Sequence, residues 1–192
     1  MSAESETASA APRRLRADAQ RNLDAVLDAA KAVFAESGVD APGQEIADRA
    51  GVGIGTMYRH FPKRSDLVAA VMASEIDACA DAARTIAADS SPGDALKAWV
   101  RLYTDLVATK RGFAAALNSD DPALLEVGPH VREHLEPALE TLLEAARRAG
   151  AISSELSAKH VITAVALLCH PVPDEDVAFT HDLVDVFLDG LR

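Results

Sequence analysis

The sequence predicts an all-α fold of about nine helices. Three observations carry that expectation. The 192 residues are 49% hydrophobic but only 4% aromatic, and alanine and leucine, both strong helix formers, are abundant. Apolar residues recur three and four positions apart through most of the chain. Isolated prolines and glycines separate these patterns into segments of helical length.

The elements follow in order. Met1 to Pro12 is rich in serine, alanine and glutamate and is expected to be disordered. Arg13, Arg14 and Arg16, with Arg21 beyond them, make a small basic arm, suited either to DNA phosphates and the minor groove or to simple solvation. A first helix is expected over 19–37, with Leu23, Val26, Leu27, Ala30, Val33 and Phe34 on one stripe and Gly38 ending it.

Two short helices joined by a glycine turn come next, over Gln44 to Ala50 and Ile54 to His60. Ile46, Ala47 and Ala50 face inward on the first. Gly51 takes the left-handed conformation that ends a helix, and Gly53 frees the next one to start at a steep angle. The second has about seven residues, too few to persist alone in water, so it depends on packing through Ile54, Met57 and Phe61. It stops before Pro62, because a residue preceding proline is pushed out of the helical region. Its other face carries Gly55, Thr56, Tyr58, Arg59 and His60, a donor-rich set without an acid. That is the layout of a helix-turn-helix, whose second helix enters the DNA major groove.

A fourth helix runs from about Lys63 to Ala88, apolar on more than one side. Lys63 and Arg64 at its start suit a DNA phosphate. A fifth spans Pro92 to Thr109, a short one Phe113 to Leu117, and a short segment leads to Val127. Gly128-Pro129 is expected to break the chain before a helix over 130–149, with a kink or restart at Pro137. Helices over 157–169 and 174–191 close the chain, split by Pro171-Val172-Pro173. The first of these is apolar nearly all round and must be buried on most sides.

From Ile46 through Leu67 the residues Ile-Ala-Asp-Arg-Ala-Gly-Val-Gly-Ile-Gly-Thr-Met-Tyr-Arg-His-Phe-Pro-Lys-Arg-Ser-Asp-Leu resemble the signature of tetracycline-repressor-like (TetR-family) transcription regulators. The family commonly has serine where Gly53 stands and serine or threonine near Pro42-Gly43. A weaker resemblance, in Arg16 to Asn22 and Thr109 to Ala114, is to an actinobacterial subgroup. The resemblance implies a three-helix helix-turn-helix DNA-binding domain over 19–61, after an arm over 1–18. A helical effector-binding and dimerisation domain is implied over 62–192. It implies a homodimer on a palindromic double-stranded DNA operator, released by a small-molecule effector, with no cofactor and no enzymatic activity.

Residue by residue, Thr56, Tyr58 and His60 are implied phosphate contacts, Gly55 admits the backbone, and Gln44 is a further phosphate candidate. Ile54 and Arg59 are candidates for base edges, since arginine pairs bidentately with guanine. The final helix pair is implied to build a four-helix bundle with the partner subunit, with Val161, Val165, Leu168, Leu183, Val184, Phe187 and Leu188 as interface candidates. Met72, Trp99, Tyr103, Phe113, Cys169 and His170 are candidates for an effector pocket, against ordinary core packing for each.

The net charge of −11 speaks at first against DNA, but it is unevenly spread: residues 13–64 hold nine basic and seven acidic residues, whereas 65–192 hold ten basic and twenty-one acidic. The DNA reader is thus the least negative part. No apolar run approaches the roughly 20 residues that cross a bilayer. Met1 to Ala11 lacks the apolar core of a secretory leader, and Cys79 and Cys169 make no disulfide framework, so a cytoplasmic location is expected. The sequence assigns no metal site. Two alternatives stand beside the regulator. His130-Val131-Arg132-Glu133-His134 spells the inverted zinc-hydrolase motif, which would make His130 and His134 ligands and Glu133 a base. The other is a helical dimer that has lost DNA binding.

Overall fold

The computed structural model describes residues 10–109, 120–170 and 172–192. Among them every regular element is a helix. These are α1 (Ala10–Ser37), α2 (Gly43–Ala50), α3 (Ile54–His60), α4 (Arg64–Asp89), α5 (Pro92–Thr109), α6 (Pro122–Leu125), α7 (Val127–Arg148), α8 (Ala158–Leu168) and α9 (Val177–Asp189). The chain divides into two compact units between Val71 and Met72, within α4. Among the described residues no helix is long and apolar enough to cross a membrane.

In the first unit α1 packs on α2 and α2 on α3. Val26, Ala29, Ala30, Val33 and Phe34 form the buried stripe of α1. The helix starts at Ala10, ahead of the expected Ala19. Pro12 falls in its first turn, where a missing N–H costs nothing, and the alanines and arginines that follow propagate the helix. The backbone of Arg13, Arg14 and Arg16 is therefore helical rather than a loose arm. Arg49 of α2 forms a bidentate pair with Glu36 of α1, both N···O distances 2.8 Å. That pairing draws the Glu36 carboxyl below its ordinary pKa.

In the second unit α5 packs against α7, α8 and α9. Trp99 lies at its centre, wholly buried, with its indole N–H donating to the Cys79 carbonyl at 2.9 Å. Tyr103, one turn on, stacks beside it with ring centroids 6.0 Å apart. Its hydroxyl donates to the Ile162 carbonyl at 3.4 Å. The same burial raises the Cys79 thiol pKa to about 12, which leaves it an inert packing group rather than a reactive thiolate. Along the outer edge α5 and α9 run antiparallel and are stitched by three pairs spaced one turn apart. Lys97 meets Asp189 at 3.0 Å, Arg101 grips Asp185, and Asp105 meets His181 at 2.8 Å.

One of the two prolines in this stretch departs from the sequence expectation. Gly128-Pro129 does not break the chain, because α7 starts at Val127 and Pro129 falls in its first turn. Pro137 lies inside the same continuous helix, with no restart. The Pro137 carbonyl accepts a 3.0 Å hydrogen bond from the Thr141 hydroxyl. The α7–α8 connection is pinned by Arg147, whose guanidinium donates to the carbonyls of Ser154 and Leu156. Arg147 also meets Glu140, whose other oxygen accepts from the Ala158 N–H at 2.9 Å and so caps α8 from a different helix.

Candidate nucleic-acid interface

The turn between α2 and α3 is set by the backbone of Gly51. Its φ of 68° is the left-handed value, its N–H donates to Asp48 O at 3.2 Å, and the Val52 N–H donates to Ala47 O at 3.0 Å. Those two bonds are the Schellman arrangement, which satisfies the last carbonyls of α2 and reverses the chain. Gly53 then stands at the N-cap of α3 without a side-chain cap, and its carbonyl accepts from the Thr56 N–H at 2.8 Å. Gly43, where α2 begins, permits a close approach. A Cβ there would stand 2.9 Å from the Tyr58 hydroxyl and 3.0 Å from the end of Met57.

Met57 and Phe61 anchor α3 in the core, at 2% and 8% exposure. The opposite side presents Gly55, Tyr58, Arg59 and His60 to solvent, with Thr56 and Ile54 half-buried at its margins. Tyr58 is a large aromatic left half in water. The Arg59 guanidinium folds back on its own helix, donating to Gly55 O at 3.1 Å and to the Thr56 hydroxyl at 3.0 Å. It must release both to reach a base. Gln44 is exposed on α2, its amide donating to Asp48 at 2.7 Å.

The two basic residues before α4 separate. Lys63 is exposed, and its backbone N–H donates to the Asp66 carboxylate at 2.9 Å. Arg64 turns inward. Its guanidinium donates to the carbonyls of Val39 and Ala41 and lies 4.8 Å above the Phe34 ring. Burial pulls its pKa below the ordinary arginine value. Its expected role at DNA therefore gives way to a structural one: the α1–α2 connection carries unpaired carbonyls, and a planar five-donor group is well matched to two of them. Arg64→Ala is expected to destabilise the protein by about 1.5–3 kcal/mol, the scale of hydrogen bonds to a charged group. The salt dependence of DNA binding should stay unchanged. Lys63→Ala should do the reverse, lowering the slope of log affinity against log salt by about one. Denaturation and DNA titrations at several salt concentrations separate the two.

The candidate effector residues do not gather as expected. Met72 and Tyr103 line an apolar cavity of about 160 Å³ with Ile76, Leu106, Val107, Val127, Val131 and Leu135. Trp99 is core instead, its ring buried and its one donor used, and Cys169 is buried. His170 is exposed beyond the end of α8, because that helix stops at Leu168 and releases the chain to solvent. Phe113 and the short helix expected over Phe113 to Leu117 lie outside the described residues, as do the side chains of Arg13, Arg14 and Arg16. The lining positions on α7 were missed because helical spacing alone does not distinguish a cavity wall from solid core.

The interface candidates divide by face. Val161, Val165, Val184 and Leu188 are buried within this subunit, at 3% exposure or less. They are the inner seam of α8 and α9 and are not available to a partner. Leu168, Leu183 and Phe187 are half-buried. The outward apolar residues are ones the sequence reading passed over, Leu167 at 71% and Val186 at 73% exposure. His130 and His134 come together with Asp77, while Glu133 points to solvent and joins no site.

Residues 26–71 match the family model described as bacterial regulatory proteins of the tetR family. Residues 91–192 match the model described as the C-terminal domain of SbtR-like transcriptional regulators. The fold is similar to that of a TetR transcriptional regulator from Streptomyces coelicolor, 35% identical, with a TM-score of 0.71 over 88% of this chain and 97% of that one. It is also similar to a TetR regulatory protein from Mycobacterium vanbaalenii, 37% identical, with a TM-score of 0.72 over 93% and 99% of the two chains. An HTH-type transcriptional regulator from Staphylococcus aureus is 38% identical over 64 residues. That match spans 33% of this chain and 35% of the relative.

Proposed function

This chain belongs to the TetR family of bacterial transcriptional regulators, and on that premise we propose that it is a homodimeric repressor, released from a palindromic operator when a small molecule binds the second unit. Members of the family are DNA-binding regulators rather than enzymes, which displaces the hydrolase alternative. The observation that carries the reading is the outward face of α3. Tyr58, Arg59 and His60 are exposed on a helix whose other side is locked by Met57. On this reading α3 lies in the major groove, Tyr58, His60, Thr56, Gln44 and Lys63 hold phosphates, and Arg59 and Ile54 meet base edges.

Replacing Arg59 with alanine is expected to weaken operator binding by about 1–3 kcal/mol and to relax preference at one base pair of each half-site. Titrations against an operator and its single-base variants measure both. A uniform loss at every variant would make Arg59 a phosphate contact instead. Specific operator binding by the unsubstituted protein separates this reading from a helical dimer that has lost DNA binding.

The effector reading rests on the cavity lined by Met72, Tyr103 and their neighbours. Its volume of about 160 Å³ is near the roughly 150 Å³ that accommodates a benzene-sized molecule. It is smaller than the roughly 300–1,000 Å³ of ordinary ligand sites. A larger effector has to push side chains aside. It also has to prefer the form that does not bind DNA, since only differential affinity shifts a population. Because α4 continues from one unit into the other, it is the direct covalent route for that shift. Leu167 and Val186 on α8 and α9 are the proposed centre of the dimer contact.

A further inference from the structure

The motif His130-Val131-Arg132-Glu133-His134 finds in space the third ligand that its sequence lacks. It comes from α4, not from Glu133. Asp77 Oδ1 lies 2.7 Å from His130 Nε2 and 3.0 Å from His134 Nδ1. The two imidazoles, one helical turn apart on α7, lie nearly parallel with centroids 4.0 Å apart. One potential ligand atom from each of the three residues falls within a 4.8 Å group. We propose that Asp77, His130 and His134 form a binding site for a divalent first-row transition cation of the zinc type.

Three arguments support that class of ligand. The first is donor chemistry. Two imidazoles and one carboxylate are a borderline-soft set that suits zinc, nickel, cobalt or copper better than magnesium or calcium, which prefer all-oxygen shells. The second is size. At zinc–nitrogen and zinc–oxygen distances of about 2.0–2.2 Å, a tetrahedral ion separates its ligands by about 3.4 Å. The nitrogen-to-oxygen separations of 2.7 and 3.0 Å must open by about 0.4–0.7 Å to accept the ion. Any ring proton now shared with Asp77 leaves to water as the metal binds. The third is access. The side chains of His130, His134 and Asp77 are 26%, 37% and 48% exposed, so an ion reaches them without unfolding the unit.

Three protein ligands leave a fourth position open. Val127, Val131 and Leu135 on α7 and Ile76 on α4 line the apolar cavity, and Val131, Leu135 and Ile76 each adjoin a ligating residue in sequence. A bound ion would tie α4 to α7 beside that cavity. Occupancy would stabilise the native state by mass action, since the unfolded chain does not hold the three groups together.

The test uses the full chain, freed of metal with a chelator and then dialysed against zinc chloride, with metal measured per chain. One zinc per chain is expected, with saturation and a higher Tm. Cobalt in place of zinc should give the visible absorption of a low-coordinate nitrogen–oxygen site. Asp77→Asn and His134→Ala, each at a partly exposed position, should keep the fold by circular dichroism. Each should lose more than the roughly 10–100-fold in affinity that outer partners of a metal site contribute. Both should also lose the zinc-dependent rise in Tm. Zinc uptake equal to that of a folded His130→Ala/His134→Ala variant would overturn the proposal. So would stoichiometric binding that all the variants retain. None of these readouts involves DNA, so the result is independent of operator recognition.

Discussion

Charging the outward apolar face of the last two helices, with Leu167→Glu and Val186→Glu together, is expected to give a folded monomer that has lost operator binding. Both side chains stand more than 70% in water in the isolated subunit. Covering a large aliphatic side chain contributes roughly 1.5–3 kcal/mol, and each substitution acts twice in a two-fold dimer. A carboxylate placed there meets its own copy across the axis. Separate subunits engage half-sites one at a time, which forfeits on the order of 10²–10⁴-fold in affinity without altering any contact to DNA. Sedimentation and operator titration read the two effects together. A dimer that persists with full affinity would move the interface to another face. Charging Val161 or Val184 instead should unfold the second unit, because those residues are buried within the subunit.

Trp99→Ala carries the largest expected cost in stability, about 3–5 kcal/mol. That is a large part of the roughly 5–15 kcal/mol that holds an ordinary domain together. The indole is wholly buried, donates its only N–H to the Cys79 carbonyl, and stacks on Tyr103. Its removal empties the centre of the second unit and severs a tie between α4 and α5. Trp99→Phe keeps most of the volume and should lose mainly the hydrogen bond, about 1 kcal/mol. Urea denaturation measures both. If Trp99 were an effector contact, alanine would change ligand affinity and leave stability within about 1 kcal/mol of the original.

What the sequence revealed and what it hid follow from the range of the interactions involved. The helix-turn-helix is local: Gly51 sets the reversal, Met57 and Phe61 lie four residues apart, and Tyr58 to His60 follow as the outward face. Each of those facts is contained within one or two turns of chain. The early start of α1 is hidden by the serine-, alanine- and glutamate-rich composition of residues 1–12, which reads as disorder. Gly128-Pro129 reads as a breaker, whereas the first turn of a helix has no hydrogen bond for proline to remove. Arg64 carries the same charge as Lys63, and only the fold places the Val39 and Ala41 carbonyls beside it. The apolar residues on nearly every side of α8 concealed which face serves its own subunit and which is left to a partner. The group of Asp77 with His130 joins positions 53 apart in sequence, a pairing that no local spacing encodes.

The central claim is that α3 reads DNA by sequence, and titration of the purified protein against DNA upstream of its own gene at several salt concentrations tests it most directly. Tight binding to one site is expected, typically 10³-fold or more above random DNA, weakening as salt rises with a slope set by the phosphates contacted. Weak binding, equal for that DNA and for random DNA at every salt concentration, would contradict it.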